Sequence, residues 1–187
     1  MAEKILDKEI FLENEDYIIR KLKDSDREDY LQIVSDNGVL KNLKDDPLAD
    51  ETLWKITMKD TMGTNLAVAR KSDQKVVGAL VIKTPEEAKM EIGLDVALAF
   101  QQQGIGTEVI KAAVDRLKDM FPGKTIIARV SSDNEISQHV VRKAGGKKVM
   151  EELSLYDAAM LTIKEHWEDM PEPDPPLGQS HIDVYQF

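Results

Sequence analysis

Between Met90 and Met120 the apolar residues change period, and the change falls on two glycines. In "KMEIGLDVALAF", Ile92, Leu94, Val96, Leu98 and Phe100 alternate with Glu91, Gly93, Asp95, Ala97 and Ala99. That is the two-residue period of a strand with one polar face. From Ile105 onward, Val109, Ala113 and Leu117 continue a helical stripe, reinforced by Ile110, Val114 and Met120. Between the two lies "QQQGIG". Glycine costs folding entropy, so Gly104 and Gly106 require a reason. One reading is a tight strand-to-helix turn that needs positive φ. The other is a backbone that an anion must approach: a helix N-terminus offers unpaired N–H groups and the positive end of the dipole.

The flanking chain places this junction late in a mixed α/β pattern. "DYIIRKL" reads as a strand and "DSDREDYLQIVSD" as a helix, with Ser25 and Glu28 spaced as a capping box. A loop around Gly38 and residues 41–47 leads to a second short helix within "DDPLADETLWKITMKDTM". "NLAVAR" and "KVVGALVIKT" are strands split by "KSDQ", a hairpin signal. After the glycine junction come a strand "KTIIARV", a short helix in "SSDNEISQHVVRKAGG" and a strand "KKVMEEL". A helix follows in "LYDAAMLTIKEHWEDM", with Leu155, Ala159, Ile163 and Trp167 four apart. A proline-rich spacer, "PEPDPPLGQ", precedes a last strand, "HIDVYQF". Three consecutive strands imply an antiparallel portion, and the later strand-helix-strand units imply a parallel or mixed continuation.

Several classes fall away. The chain has 187 residues, enough for one domain with a real core. It has no cysteine, so thiol catalysis and thiolate metal sites are excluded. His139, His166 and His181 show no HExxH or HxH spacing, so no metal is expected. The net charge of -10 argues against nucleic acid and is compatible with a cationic substrate. No apolar run approaches the roughly 18 residues of a membrane span. The opening "MAEKILDKEIFLENED" is too charged for a signal peptide, so the expected location is cytoplasmic.

The junction can be tested against known phosphate motifs. GxxxxGK[ST] is absent. A dinucleotide fingerprint needs a small residue where Val109 stands, and a continuously apolar strand before it. Gln101-Gln102-Gln103-Gly104-Ile105-Gly106 instead resembles the [Gln/Arg]-x-x-Gly-x-[Gly/Ala] signature of the GNAT superfamily of acyl-CoA-dependent N-acetyltransferases. "EIGLDVAL" looks like the end of that family's fourth strand. "NEISQHVVRKAGG" resembles its second motif, and "YIIRKLKDSD" its opening. The resemblance covers residues 16–152 in order. It is similar to the ribosomal-protein-type and small-amine acetyltransferases of bacteria.

The resemblance implies an α/β fold, with a mixed, mostly antiparallel central sheet of six to seven strands flanked by helices. It implies one domain over residues 1–187, ending in a helix, a spacer and a displaced last strand. It further implies transfer of an acetyl group from acetyl-CoA to a primary amine, either a small molecule or a protein N-terminus or lysine. The pyrophosphate of coenzyme A would meet Gln101, Gln103, Gly104, Ile105, Gly106 and Thr107. Its pantetheine arm would pair with main chain at Val96 and Leu98. Asn134 and Ser137 stand where the family brings side chains near the cofactor; an N-cap explains Asn134 equally well. Glu91 is the expected base, with Asp95 on the same strand face. Departures from the pattern are Val141, where many members carry a proton-donating Tyr, and Gly146, where many carry Phe. Tyr156 and Tyr185 remain as phenols, and Tyr156 is the expected acid. A non-catalytic acyl-CoA-binding module and a nucleotide-binding enzyme of another type are the alternatives. The tail is compatible with an intramolecular strand and with one exchanged in a homodimer.

Overall fold

The computed structural model describes residues 9–37, 47–59, 63–166, 171, 176–178 and 181–187. Among these are eight strands, more than the six to seven expected, and five helices. The chain divides into two compact units, residues 1–126 and 127–187. Most of the acidic loop before the second helix, Trp167 and most of the proline spacer lie outside the described residues.

In the first unit, β1 (Ile10–Glu13), β2 (Tyr17–Lys21), β3 (Thr64–Arg70), β4 (Val76–Glu86) and β5 (Lys89–Val96) form an antiparallel meander in chain order. β1 was not legible in the sequence. A side chain makes its turn: Asn14 Oδ1 accepts from the N–H groups of Asp16 at 3.0 Å and Tyr17 at 2.7 Å. The β3–β4 hairpin is tied by Arg70 on Asp73 at 2.6 Å, which holds the Asp73 carboxyl down at about 2.

Helices α1 (Arg27–Asn37) and α2 (Pro47–Met58) supply Tyr30, Leu31, Ile33 and Trp54 to a cluster with Ala67, Val76 and Ala79 of β3 and β4. The ring of Tyr30 meets Trp54 edge-on at 5.9 Å. The small sheet residues let the helices approach. The expected capping box of Ser25 and Glu28 is corrected. The N–H of Lys23 donates to Asp26 Oδ2 at 2.7 Å, and Arg20 holds that carboxylate at 2.6 Å. α3 (Ile105–Met120) buries Ile105, Val109, Ile110, Ala113, Val114 and Leu117, the stripe read from its spacing, and packs on β5. Each large apolar side chain so buried contributes roughly 1.5–3 kcal/mol.

In the second unit, β6 (Thr125–Ser131), which begins just before the boundary, and β7 (Lys147–Leu153) both pair antiparallel with β8 (His181–Gln186). The last strand therefore sits between β6 and β7 and pairs within its own chain. β6 and β7 run in the same direction, as the strand-helix-strand reading expects, but do not pair with each other. α4 (Glu135–Lys143) joins them. α5 (Leu155–His166) corrects its expected stripe: Leu155 and Ile163 are exposed. The helix is anchored by polar groups instead. Ser154 Oγ accepts from the N–H of Asp157 at 3.0 Å, and buried Asp157 accepts from the N–H of Gly178 at 3.0 Å.

Candidate active site

The strand before the glycines ends earlier than its alternation suggests. Gly78 pairs with Val96, and the N–H of Ala97 donates to the carbonyl of Val77 at 3.0 Å. Val77 is the extra residue of a bulge, since Val68 pairs with Gly78 and Ala69 with Val76. Beyond it the chain leaves the sheet in a single 3₁₀ turn, Leu98–Phe100. Leu98 is thus corrected from strand to turn. It is 58% exposed and offers no extended backbone to pair with. Val96 is the last strand residue. The Arg70 guanidinium stacks over the Phe100 ring at 4.9 Å and steadies the turn.

The glutamines brace the loop from inside. Gln101 Nε2 donates to the Val96 carbonyl at 3.0 Å, and Gln103 Nε2 to the Ala99 carbonyl at 3.1 Å. Gly104 then caps α3 with φ at +86°, a left-handed conformation that L side chains rarely adopt. The tight-turn reading of this glycine is therefore right. A Cβ built there would meet nothing within 4 Å, so the space beside it is open as well. No side chain caps the helix, and the first helical bond runs from the N–H of Glu108 to the carbonyl of Gly104 at 3.1 Å. The N–H groups of Ile105, Gly106 and Thr107 precede that bond and have no partner inside the helix. Glu108, in the first turn, is hydrogen-bonded by the side-chain amide of Asn14.

One face of β5 carries Glu91, Gly93 and Asp95, opposite Lys83, Val81 and Ala79 of β4. Glu91 is shielded and lies 3.8 Å from Lys83 Nζ. Asp95 is half-buried, and burial pushes its carboxyl above the ordinary aspartate value.

The remaining predicted residues belong to the second unit. Asn134 Oδ1 accepts from the N–H of Ser137 at 2.9 Å, so Asn134 is the N-cap of α4. Ser137 itself is half-buried. Val141 is buried and a Cβ on Gly146 would approach its Cγ1 to 2.7 Å and the Phe187 ring to 3.2 Å. Phe187 thus crowds the position where relatives carry Phe in place of Gly146. Tyr185 is buried, its hydroxyl 3.5 Å from Gln138 Oε1, and Tyr156 is partly exposed on α5. Arg142 and Lys143 are exposed in the last turn of α4.

Sequence reasoning missed one polar cluster. Lys148 Nζ lies 2.5 Å from Glu151 and 2.8 Å from buried Asp183, while His181 Nε2 lies 3.0 Å from Asp183. Glu151 and Asp183 face each other only through the β7–β8 register, which no local motif encodes. The lysine serves as the internal cation of this group.

No curated protein matches the chain by sequence. Among solved structures, a GNAT-family acetyltransferase from Bacillus anthracis superposes with a TM-score of 0.70 at 18% identity, over 94% of this chain and 96% of that one. The ribosomal-protein-S5-alanine acetyltransferase of Vibrio fischeri gives 0.61 at 16% identity, over 94% of both chains. A chimera of the Vibrio cholerae spermidine N-acetyltransferase SpeG with hSSAT gives 0.64 at 13% identity, over 90% of this chain and 94% of that one. At these identities the likeness speaks for the fold. Among the described residues, no helix is long and apolar enough to cross a membrane. The family model for the acetyltransferase (GNAT) domain matches residues 16–147, most of the chain. The strand that ends at a bulge, the braced glycine turn and the uncapped helix all lie within that match: the chain belongs to the GNAT acetyltransferase family and is an acyltransferase.

Proposed function

We propose that the protein transfers an acetyl group from acetyl-CoA to a primary amine. The observation that carries this reading is the uncapped start of α3, where Gly104 leaves open space and three amides await an acceptor. Such a terminus suits a pyrophosphate: the amides of Gly104, Ile105, Gly106 and Thr107 donate, and the helix dipole favours the charge. Gln101 and Gln103 serve by bracing the loop that presents those amides. Val96, at the strand end, supplies main chain to the pantetheine arm, and exposed Leu98 borders its path. Asn134 spends its oxygen on the helix cap, which leaves its side-chain nitrogen for the cofactor, with Ser137 beside it.

Acetyl-CoA, when bound, supplies an activated acyl carbon. A lysine-like amine has a pKa near 10.4 and arrives protonated. Glu91, 3.8 Å from Lys83 Nζ, takes that proton through a chain of waters. A main-chain N–H near Val96 stabilises the oxyanion as the nitrogen bonds to the acyl carbon. Tyr156 returns a proton to the departing thiolate. The fold neighbours described as acting on a ribosomal-protein alanine and on spermidine mark the range of acceptors, from protein N-terminus to polyamine.

Mixing the full-length protein with acetyl-CoA and a panel of amines, and following free thiol, tests the reading. Thiol release with at least one amine, reduced at least tenfold by Glu91→Gln, is expected. Release no faster than the protein-free background with every amine would overturn it.

A further inference from the structure

The first unit contains a shielded carboxylate that has no counter-charge among the described residues. Asp26 is buried against Arg20 at 2.6 Å. Glu91 has Lys83 at 3.8 Å. In the second unit, buried Asp183 has Lys148 at 2.8 Å and buried Asp157 accepts from the Gly178 N–H at 3.0 Å. Asp95 is half-buried, yet its side chain has no hydrogen bond or ion pair among the described residues. Among those residues it is also the carboxylic acid whose pKa burial raises. A carboxylate taken partly out of water costs free energy unless something pairs with it. With no partner among the described residues, the Asp95 carboxylate is left to water or to a ligand.

The surroundings say what shape that ligand has. Asp95 is the penultimate residue of β5, one position before Val96 and the turn to Gly104. Across the ladder it faces Ala79, and beyond that Ala67. Two residues back on the same face is Gly93, where a Cβ would touch Val81 Cγ1 at 3.0 Å and no second atom within 4 Å. Small residues therefore flank Asp95 across and along the sheet. At about 3.3 Å per residue, Glu91 lies some 13 Å from Asp95 along the strand, with Gly93 between them. Gly93 leaves room for an alkyl chain between the two carboxylates, on strands that α1 packs against.

Resting on the acetyl-transfer reading, we propose that Asp95 is the acceptor-binding residue: it seats the ammonium group of a cationic alkylamine at the end of β5, with the alkyl chain lying over Gly93 toward Glu91. A substrate of this class carries a primary ammonium on an unbranched chain. A neutral alcohol or amide of the same length lacks the charge that Asp95 needs. The seat places the nitrogen one residue from Val96, where the acyl carbon is attacked.

The test is a binding comparison that does not depend on turnover. 1,5-diaminopentane and pentan-1-ol are titrated calorimetrically into the full-length protein, with coenzyme A present, for wild type and Asp95→Asn. Measurable diamine binding by wild type, no heat with the alcohol, and at least tenfold weaker diamine binding by the variant are expected. Asp95→Asn should also melt higher than wild type at pH 7.5, because an unpaired shielded charge has been removed. Diamine binding that is absent, or unchanged in the variant, would overturn the seat. So would a lower melting temperature, the mark of a carboxylate with a structural partner. Failure of the transfer reading shows separately, as acetyl-CoA that is never cleaved by wild type whatever the diamine does.

Discussion

Helices α3 and α4 both begin just after a strand, and both beginnings carry family motifs, yet they are finished differently. α4 starts at Asn134, whose Oδ1 takes the N–H of Ser137 at 2.9 Å. α3 starts at Gly104, which has no side chain to give. One terminus spends a donor on its own stability; the other keeps its donors and forgoes only a few tenths of a kcal/mol of capping, since its cap is glycine. The glycines that flank the two helices differ in the same sense. Behind α4, Gly146 is pressed against Val141 with no room for a Cβ, whereas at Gly104 a Cβ would meet nothing. Space and unspent donors occur together at α3, and our proposal takes that combination as the mark of a binding terminus.

The comparison can be broken most readily at Gly104. Gly104→Val puts a β-branched residue at φ +86°. We expect it to cost about 1–3 kcal/mol of stability and to weaken coenzyme A binding at least tenfold by calorimetry. Unchanged affinity would make α3 an ordinary turn-and-helix. Gly146→Ala should cost a similar 1–3 kcal/mol, because its Cβ would lie 2.7 Å from Val141 Cγ1, but with affinity for coenzyme A preserved. Asn134→Ala removes a cap and should cost about 1 kcal/mol, with affinity falling less than threefold. A larger fall would mean that the Asn134 side chain is a principal contact of coenzyme A.

The smallest effect concerns pH. Asp95 has a folded-state pKa above its unfolded value, so its ionisation opposes folding at neutral pH. That opposition fades as pH falls through the folded value and is gone below the unfolded value, near 3.9. On this face of β4 and β5 the charges Glu91 and Lys83 are paired with each other, and α1, which packs on both strands, carries Arg27, Glu28, Asp29 and Asp36. The melting advantage of Asp95→Asn should therefore shrink on acidification from pH 7.5 toward pH 4. An advantage independent of pH would point to packing in place of charge.

Much of this was readable from residue spacing because spacing reports burial. The α3 stripe of Ile105, Val109, Ala113 and Leu117 is buried as its period requires. The strand limits were less legible, since alternation continues through Leu98 and Phe100 while pairing stops at Val96. The stop is set by a bulge at Val77 on another strand and by the Gln101 side chain, neither of which alters the period. β1 is short and lies in a charged stretch, and only its pairing with β2 reveals it. The exposed stripe of α5 shows the converse: apolar residues four apart form a helix without fixing which face is covered. Asp95 was legible as a wall residue, but its lack of a partner depends on what every neighbouring strand and helix presents.

The most direct measurement is the change in backbone amide NMR shifts on adding coenzyme A to the full-length protein. Donors gripping a pyrophosphate should move the amides of Ile105, Gly106 and Thr107 most, well beyond those of Glu135 and Ile136 at the capped helix. Saturating coenzyme A that leaves residues 104–107 unmoved, or that shifts residues 135–137 more, would contradict the account.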